Sequence, residues 1–385
     1  MSAGAAPRFV LVAGETSGDQ LGAGLIRALR QHWPLAQFAG IGGPRMAEAG
    51  MDCWFAAEEL ALFGLVEVIR HLPRLLRLRR ELYRRIAAWQ PQAYIGIDAP
   101  DFNLTVERKL RQRSSGAIRT VHYVSPSIWA WRQHRAAKIG QSAELVLCLF
   151  PFEPALYARY GVRAEFVGHP LAEAFPLEPT PHAARAALGL PLDAPVLALL
   201  PGSRQSEIQR LGRDFLDAVR LLRARHPRLL ALAPMANARC RTQFQALLQA
   251  DDGVELLDGR AQLVLQAADV VLIASGTATL EAALARRSMV VAYRVHPVSA
   301  WIGRTFKLIK SAWISLPNQL VGRVLVPELL QEQVQPALLC NALDRALQPE
   351  IRTTLEAEFA AVHHTLRQDA DARAAAAIVD LLAGR

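Results

Sequence analysis

The sequence predicts two doubly wound α/β domains, each built on a parallel sheet, followed by a helical C-terminal segment. Three observations indicate this fold class. Short apolar runs alternate with longer helical patterns, which is the signature of βαβ units. Pro176, Pro179 and Pro181 crowd one short stretch, which is typical of a linker, and the alternation restarts after it. The length of 385 residues suits two domains of about 150–200 residues each.

The first domain is predicted from a series of apolar runs with helical patterns between most of them. Its helices include Asp19–Gln31 and Asp101–Arg113, and the series ends at Gly168, His169 and Pro170. The candidate strands are Phe9–Val12, Gln37–Ile41, Ala93–Asp98, Ile118–Val124, Leu145–Phe150 and Ala164–Val167.

The second domain repeats the pattern, and the chain from about Pro336 to Arg385 is predicted to be helical without a strand. We therefore expect Rossmann-like domains over residues 1–172 and 173–345, with further helices over 346–385. Sheets of this class bind ligands beyond the carboxyl ends of their strands, so the loops at those ends are the candidates for a site. The predicted strands are Val196–Leu200, Leu229–Ala233, Val254–Leu257, Val270–Ala274 and Met289–Tyr293, and the predicted helices are Glu207–Arg225, Arg239–Gln249, Thr277–Ala285 and Pro297–Lys307.

The formal net charge of +9 favours an anionic partner such as nucleic acid, phospholipid or a phosphorylated metabolite. The excess is local, because residues 70–85 contain seven arginines and one acidic residue, Glu81, a net charge of +6. Leucines run through the same 62–85 stretch, and this combination suits either a membrane surface or an ordinary solvated helix. Nucleic acid is disfavoured, because Tyr83 is the only aromatic residue among these arginines.

The cysteines and the apolar runs bear on the compartment. Cys53, Cys148, Cys240 and Cys340 lie far apart, which argues against a zinc site or a disulfide framework and fits a reducing compartment. The N-terminus lacks the pattern of a signal peptide, and no uncharged apolar run approaches about 18 residues. We therefore expect no transmembrane helix, and any membrane contact is expected to be peripheral.

The loops after the first two strands are rich in glycine. Gly14 and Gly18 allow a tight turn into a helix, which Ser17 or Asp19 can cap and whose N-terminus favours anions. This spacing differs from the dinucleotide pattern GxGxxG, so NAD is not indicated. The glycine loop at residues 40–44 repeats the arrangement.

Asp98 is the most suggestive carboxylate, because it ends an apolar strand at the edge where ligands bind. It can act as a general base toward an acceptor hydroxyl, or it can serve as a turn or cap residue. Asp101 is expected to be the N-cap of the following helix. His122 suits the core of its strand, and Trp129 and Trp131 can either stack on a sugar or pack internally.

Three loops of the second domain suit a nucleoside diphosphate. Arg204 follows a strand and a glycine turn, and its guanidinium can bind a phosphate. Backbone N–H groups of Ser275, Gly276 and Thr277 can face a diphosphate, and the carboxylate of Glu281 can accept two ribose hydroxyls. A polar turn at residues 315–319 completes the set.

Taken together, these loops resemble the ordered motifs of the lipid-A-disaccharide synthase family. The resemblance runs from about Arg8 to Leu330 and is less distinctive in the helical tail. The motifs are AGETSGD at 13–19, GIGGP at 40–44, GIDAPDFN at 96–103, YVSPSIWAW at 123–131, PGSR at 201–204, ASGT at 274–277 and SLPN at 315–318.

The resemblance implies a GT-B-type fold and an inverting glycosyl transfer. The implied donor is UDP-2,3-diacylglucosamine, and the implied acceptor is 2,3-diacylglucosamine 1-phosphate. The products would be the β-1,6-linked disaccharide 1-phosphate and UDP. It also implies a homodimer with exchanged C-terminal parts, final helices that cross back onto the first domain, and a peripheral position on the cytoplasmic face of the inner membrane through the 62–85 stretch.

Residue by residue, the resemblance gives Asp98 the part of the base, with Glu15 and Ser17 near the reacting sugars. Glu15 and His122 remain alternatives for the base. Neither a metal nor a cofactor is implied, because an arginine and helix N-termini can carry the charge of the diphosphate. The rival hypotheses are another GT-B UDP-sugar transferase, a UDP-sugar epimerase, and a non-catalytic lipid- or nucleotide-binding protein. The positions matching the UDP-holding residues of the family are Arg204, Glu281, Asn318 and Gln319.

Overall fold

The computed structural model describes residues 6–60, 65–114, 116–130, 133–295 and 312–384, with the backbone alone for 65–72 and 130. The chain forms two compact units. Unit 1 comprises Met1–Pro170 and Leu366–Arg385, and unit 2 comprises Leu171–Thr365.

The described part of unit 1 contains a seven-stranded sheet in the order β3-β2-β1-β4-β5-β6-β7. Every neighbouring pair of strands is parallel. The strands are β1 (Arg8–Ala13), β2 (Gln37–Gly42), β3 (Asp52–Ala56), β4 (Ala93–Ile97), β5 (Arg119–Tyr123), β6 (Leu145–Cys148) and β7 (Ala164–Phe166). The helices before the crossing to unit 2 are α1 (Thr16–His32), α2 (Pro44–Glu48), α3 (Leu65–Trp89), α4 (Pro100–Ser114), α5 (Arg135–Gly140) and α6 (Glu153–Ala158).

The described part of unit 2 contains a six-stranded parallel sheet in the order β10-β9-β8-β11-β12-β13. Its strands are β8 (Val196–Leu200), β9 (Leu230–Met235), β10 (Val254–Asp258), β11 (Val270–Ala274), β12 (Ser288–Tyr293) and β13 (Glu328–Leu330). The remaining helices are α7 (Pro170–Ala174), α8 (Pro181–Ala187), α9 (Gln205–Arg225), α10 (Ala238–Gln245), α11 (Ala261–Ala267), α12 (Ala278–Leu284), α13 (Leu316–Val321), α14 (Pro336–Ala346), α15 (Pro349–Leu366) and α16 (Ala370–Leu382).

Both faces of the first sheet are buried, as the near-continuous apolar runs of its central strands require. In β1, Phe9 and Leu11 point into a core that includes Ile378 of α16, while Val10 and Val12 point into a second core beneath α3 and α4. The final helix therefore completes a face of unit 1, although it comes from the far end of the chain.

The predicted fold class is confirmed, and most predicted elements agree with the observed ones to within a few residues. The sequence missed β3, a half-buried edge strand, and β13, an edge strand of three residues. Neither run is long or apolar enough to stand out from a loop. The predicted helix Pro297–Lys307 lies outside the described residues.

The prediction that the apolar stripe of the 62–85 stretch faces a membrane is wrong for its second half. Leu78 and Leu82, one helical turn apart in α3, are buried against the sheet and cannot face a bilayer. Leu76 is 53% exposed and remains a candidate for membrane contact, whereas residues 62–64 and the side chains of 65–72 lie outside the described part of the stretch. In the described part of the chain, no helix is long and apolar enough to cross a membrane.

Candidate functional site

The exits of β1 and β4 bring the predicted acceptor-side residues onto neighbouring loops of unit 1. The two strands are paired in parallel, with Ala13 opposite Ile97. Glu15 and Ser17 follow β1 and are exposed, and Asp98 follows β4 and is half-buried. Loops at the carboxyl ends of adjacent central strands form the usual ligand edge of such a sheet.

Asp98 has an unusual backbone. Its φ is +51°, in the left-handed region, and the φ of Ala99 is +43°. The N–H of Asp98 donates to the carbonyl of Tyr123 at 2.8 Å, and its own carbonyl accepts from the amide of Asn103, also at 2.8 Å. No other described residue forms a hydrogen bond or ion pair with its carboxylate, so the backbone is held while the carboxylate is available.

Two aspartates have other roles than those predicted. Asp101 is not the N-cap of α4, because it lies in the first turn of the helix. The helix dipole still stabilises a carboxylate at this position. Asp19 does not cap its own helix either. Its buried carboxylate accepts from the N–H groups of Gly43, Arg45 and Met46 at 2.9–3.0 Å and so caps α2 instead. These hydrogen bonds connect the end of the glycine loop at 40–44 to the first turn of α1.

His122 is fully buried, in agreement with a core position, and it cannot reach a bound sugar. Its Nδ1 lies 2.8 Å from Oε1 of Glu107, which is also fully buried. Burial raises the pKa of the Glu107 carboxyl, and the neighbouring His122 opposes this effect. His122 is therefore excluded as the predicted base, and Asp98 and Glu15 remain the candidates.

Trp129 packs internally. Its ring meets Phe152 edge-on at 5.5 Å, and the loop that carries it is held where the Ser125 hydroxyl bonds that of Tyr157 at 2.9 Å. Close by, burial raises the pKa of Glu153 to about 8. Packing is thus the observed role of Trp129, while Trp131 lies outside the described residues.

Unit 2 contains a cavity of about 370 Å³ that gathers five of the predicted donor-side residues. The cavity opens where β8 and β11 end, which is again the ligand edge of a parallel sheet. Its polar lining includes Ser203, Arg204, Glu207, Ser275, Gly276, Thr277 and Glu281.

The loop before α9 is held from both sides. Oε2 of Glu207 accepts from the N–H groups of Ser203 and Arg204 at 3.0 and 3.2 Å. The carbonyl of Ser203 accepts from Nδ2 of Asn237 at 3.3 Å. Gly202 has φ +128°, and a Cβ there would lie 2.4 Å from Glu207, so glycine is required at this position. The loop is fixed while the side chain of Arg204 stays 77% exposed.

On the opposite side of the cavity, Ser275 to Thr277 lie at the start of α12, where the first N–H groups of a helix have no partners within it. The Ser275 hydroxyl donates to the carbonyl of Ile314 at 3.1 Å. Burial raises the pKa of Glu281, and its carboxylate forms no hydrogen bond or ion pair with another described residue. Its carboxylate is therefore free to accept hydroxyl donors.

Asn318 does not offer its side chain to the cavity. It is fully buried, its Oδ1 accepts from the N–H groups of Leu325 and Val326, and its Nδ2 donates to Val326 and Glu328, all at 2.7–2.9 Å. The amide is saturated, so Asn318 can influence a ligand only by shaping the turn at 315–326. Gln319, its half-buried neighbour, is not among the residues that line the cavity.

Glu207, Asn103 and Glu328 hold the loops of these sites, although no role was predicted for them. For Glu207 a signal exists, since it stands three residues after the N-cap position of α9, where capping glutamates are common. The Glu328 carboxylate accepts from Ser315 and Asn318 across the turn. No local pattern could have indicated that contact.

Proteins of similar sequence match nearly the whole chain. A family profile described as Lipid-A-disaccharide synthetase matches residues 9–378. Lipid-A-disaccharide synthase of Xylella fastidiosa (strain M12) is 54% identical, with 99% of each chain covered. That of Erwinia tasmaniensis is 50% identical over 97% of this chain and 98% of its own.

The fold is also similar to solved structures of low sequence identity. A UDP-GlcNAc 2-epimerase from Neisseria meningitidis has a TM-score of 0.65 at 11% identity, covering 98% of this chain and 100% of its own. The calicheamicin glycosyltransferase CalG4 has a TM-score of 0.59 at 17% identity, covering 99% of each chain. These likenesses establish the GT-B-type fold, and the sequence relatives establish the family. The chain belongs to the lipid-A-disaccharide synthase family.

Proposed function

We propose that this hexosyltransferase of lipid A biosynthesis joins UDP-2,3-diacylglucosamine to 2,3-diacylglucosamine 1-phosphate. The products are the β-1,6-linked disaccharide 1-phosphate and UDP. The observation that supports this proposal best is the unit 2 cavity, which gathers Arg204, residues 275–277 and Glu281 in a chain of this family.

In the proposed donor complex, the diphosphate lies between Arg204 and the N–H groups of residues 275–277. Glu281 accepts the ribose hydroxyls, for which its half-buried carboxylate has two oxygens. Because Glu207 already occupies the N–H groups of Ser203 and Arg204, the loop before α9 contributes the guanidinium instead of its backbone. Gln319 is proposed as a further donor contact, and Asn318 as a residue that holds the turn.

In the proposed chemical step, the carboxylate of Asp98 takes the proton of the acceptor's 6-hydroxyl. The hydroxyl oxygen attacks C1 of the donor sugar from the face opposite UDP, so the configuration at C1 inverts. The bond between C1 and the diphosphate oxygen breaks, and its electron pair leaves with UDP. Arg204 stabilises the charge that develops on the diphosphate. Glu15 and Ser17 are proposed to contact the acceptor.

The acyl chains require access to a bilayer, and we assign this to the start of the 62–85 stretch, ending at Arg77. The exposed Leu76 and Arg77 supply an apolar side chain beside a cation, which suits an anionic lipid surface. Residues 78–85 contribute instead to the core and to surface ion pairs such as those of Glu81. Assembly as a homodimer is proposed from the family resemblance alone.

The test is release of UDP from UDP-2,3-diacylglucosamine in detergent, with and without 2,3-diacylglucosamine 1-phosphate. The proposal predicts release that depends on the acceptor. A second assay supplies UDP-N-acetylglucosamine alone and follows inversion at C2, because epimerases share this fold. Epimerised sugar nucleotide without acceptor-dependent release would favour the epimerase, whereas UDP binding without turnover of either substrate would favour a non-catalytic binder.

A further inference from the structure

Asn103 lies beneath the two loops that carry the acceptor-side residues. It stands in the first turn of α4 and is fully buried, so it cannot touch a substrate. Its Nδ2 donates to the carbonyl of Asp98 at 2.8 Å and to that of Val12 at 3.2 Å, with a weaker contact to Ile97 at 3.4 Å. One amide thus joins the ends of β1 and β4.

The orientation of this amide is fixed. Its Oδ1 accepts from the hydroxyl of Tyr94, also fully buried, at 2.7 Å. Because the strand carbonyls can only accept hydrogen bonds, the NH₂ group must face them, and Oδ1 is left to accept from Tyr94. Gly96 provides the space, since a Cβ there would lie 2.7 Å from Cβ of Asn103 and 2.3 Å from Oε1 of Glu107. The site for this side chain is therefore built into β4.

The backbone that Asn103 holds is one that L residues avoid. Asp98 and Ala99 are consecutive residues in the left-handed region, with φ of +51° and +43°. Such conformations persist when surrounding contacts impose them, and they cluster at functional sites. Asp98 is held on both sides, through its N–H to Tyr123 and through its carbonyl to Asn103. Removal of the amide leaves one of these restraints.

We propose that Asn103 is a positioning residue that holds Asp98 in the geometry required for proton abstraction. The proposal rests on the proposed function, because the base role of Asp98 is itself part of that function. The mechanism is indirect: the amide fixes the backbone of Asp98 and couples it to the β1 exit, which leads to Glu15.

The test is a double-mutant cycle on the full-length enzyme with Asn103→Ala, Asp98→Ala and both together. Asp98→Ala is expected to lower kcat by about 10²–10⁴-fold, the usual contribution of a general base. Asn103→Ala is expected to lower kcat at least about tenfold, because a base that is present but misplaced loses part of its contribution. If Asn103 acts through Asp98, the double variant has the rate of Asp98→Ala alone.

Two measurements separate positioning from a general loss of structure. The KM for the donor and the affinity for UDP, which depend on unit 2, are expected to stay within about twofold in Asn103→Ala, because the hydrogen-bond partners of Asn103 all lie in unit 1. The control Tyr94→Phe keeps the ring and removes only the bond to Oδ1, and we expect a loss of kcat smaller than that of Asn103→Ala.

The cycle distinguishes the failure of this inference from that of the proposed function. No acceptor-dependent turnover by the unmodified enzyme would refute the proposed function, and full activity of Asp98→Ala would refute the base and the positioning role together. If Asp98→Ala is impaired, two outcomes remain. An equal loss of kcat from Asn103→Ala in the unmodified enzyme and in Asp98→Ala would overturn the inference alone, whereas a loss of kcat only when Asp98 is present would support it.

Discussion

Replacement of Glu207 by alanine is predicted to weaken the binding of the diphosphate while leaving the binding of the nucleoside unchanged. The Glu207 carboxylate accepts from the N–H groups of Ser203 and Arg204 and is itself 8% exposed. It fixes the loop from which the guanidinium of Arg204 extends. Without it the loop gains conformational freedom, and binding must then restrict that freedom again.

The size of the effect follows from these contacts. An N-terminal cap contributes about 0.5–2 kcal/mol, and a hydrogen bond to a charged group about 1.5–3 kcal/mol. Ser203 and Arg204 are exposed, so water replaces part of what is lost. We therefore expect Glu207→Ala to lower the free energy of unfolding by about 1–2 kcal/mol. The affinity for UDP should fall about tenfold, which corresponds to about 1.4 kcal/mol.

The assay is isothermal titration calorimetry with UDP, and with uridine by displacement. Glu207→Gln keeps an acceptor oxygen for the loop and should bind UDP within about threefold of the unmodified protein, a difference below 1 kcal/mol. Glu281→Gln should weaken UDP and uridine alike, because the proposed contact is with the ribose. An unchanged affinity of Glu207→Ala for UDP, or an equal loss for uridine, would refute the reasoning.

Three further predictions concern the described side chains. Asn318→Ala should lower the free energy of unfolding, measured by chemical denaturation, by about 2–4 kcal/mol, because its buried partners lose their hydrogen bonds. A change smaller than the error of that measurement would contradict the structural role of this amide. Burial raises the pKa of Glu153 to about 8, so the folded state holds a proton that the unfolded state releases near the ordinary pKa of 4.5. The contribution of this group to the free energy of unfolding therefore falls as the pH rises from about 4.5 through about 8. Glu153→Gln should therefore raise the melting temperature relative to the unmodified protein more at pH 8.5 than at pH 5, and an offset independent of pH would count against it. Leu76→Gln should weaken binding to anionic vesicles roughly tenfold without loss of stability, whereas the core variant Leu82→Ala should cost about 2–5 kcal/mol of stability; vesicle sedimentation that shows no difference for Leu76→Gln would remove this surface from the account.

The sequence predicted the sheets well because parallel strands buried on both faces are long apolar runs. Val196–Leu200 and Val270–Ala274 were placed with their observed limits. The edge strands β3 and β13 were missed because each is short and buries only part of its surface. The apolar stripe of α3 was misassigned from residue 78 onward, since a periodic pattern identifies a buried face without saying whether a sheet or a bilayer covers it.

The candidate site was predictable where function follows the exit of a strand, and unpredictable where it depends on distant contacts. Arg204 and Glu281 were found by their positions after strands and line one cavity. The saturation of Asn318 depends on Glu328 and on backbone groups beyond the turn, which no local pattern indicates. The left-handed backbone of Asp98 and its hydrogen bond to Asn103 became visible only in the structure. No sequence pattern around either residue indicates them.

The most direct test of the central claim is identification of the product formed from UDP-2,3-diacylglucosamine and 2,3-diacylglucosamine 1-phosphate. Mass spectrometry gives its composition, and the coupling constant of the new anomeric proton and the carbon shift at C6 give its configuration and linkage. The account predicts one β-1,6-linked disaccharide 1-phosphate for each UDP released. UDP released with free diacylglucosamine, or a product with retained configuration, would contradict it.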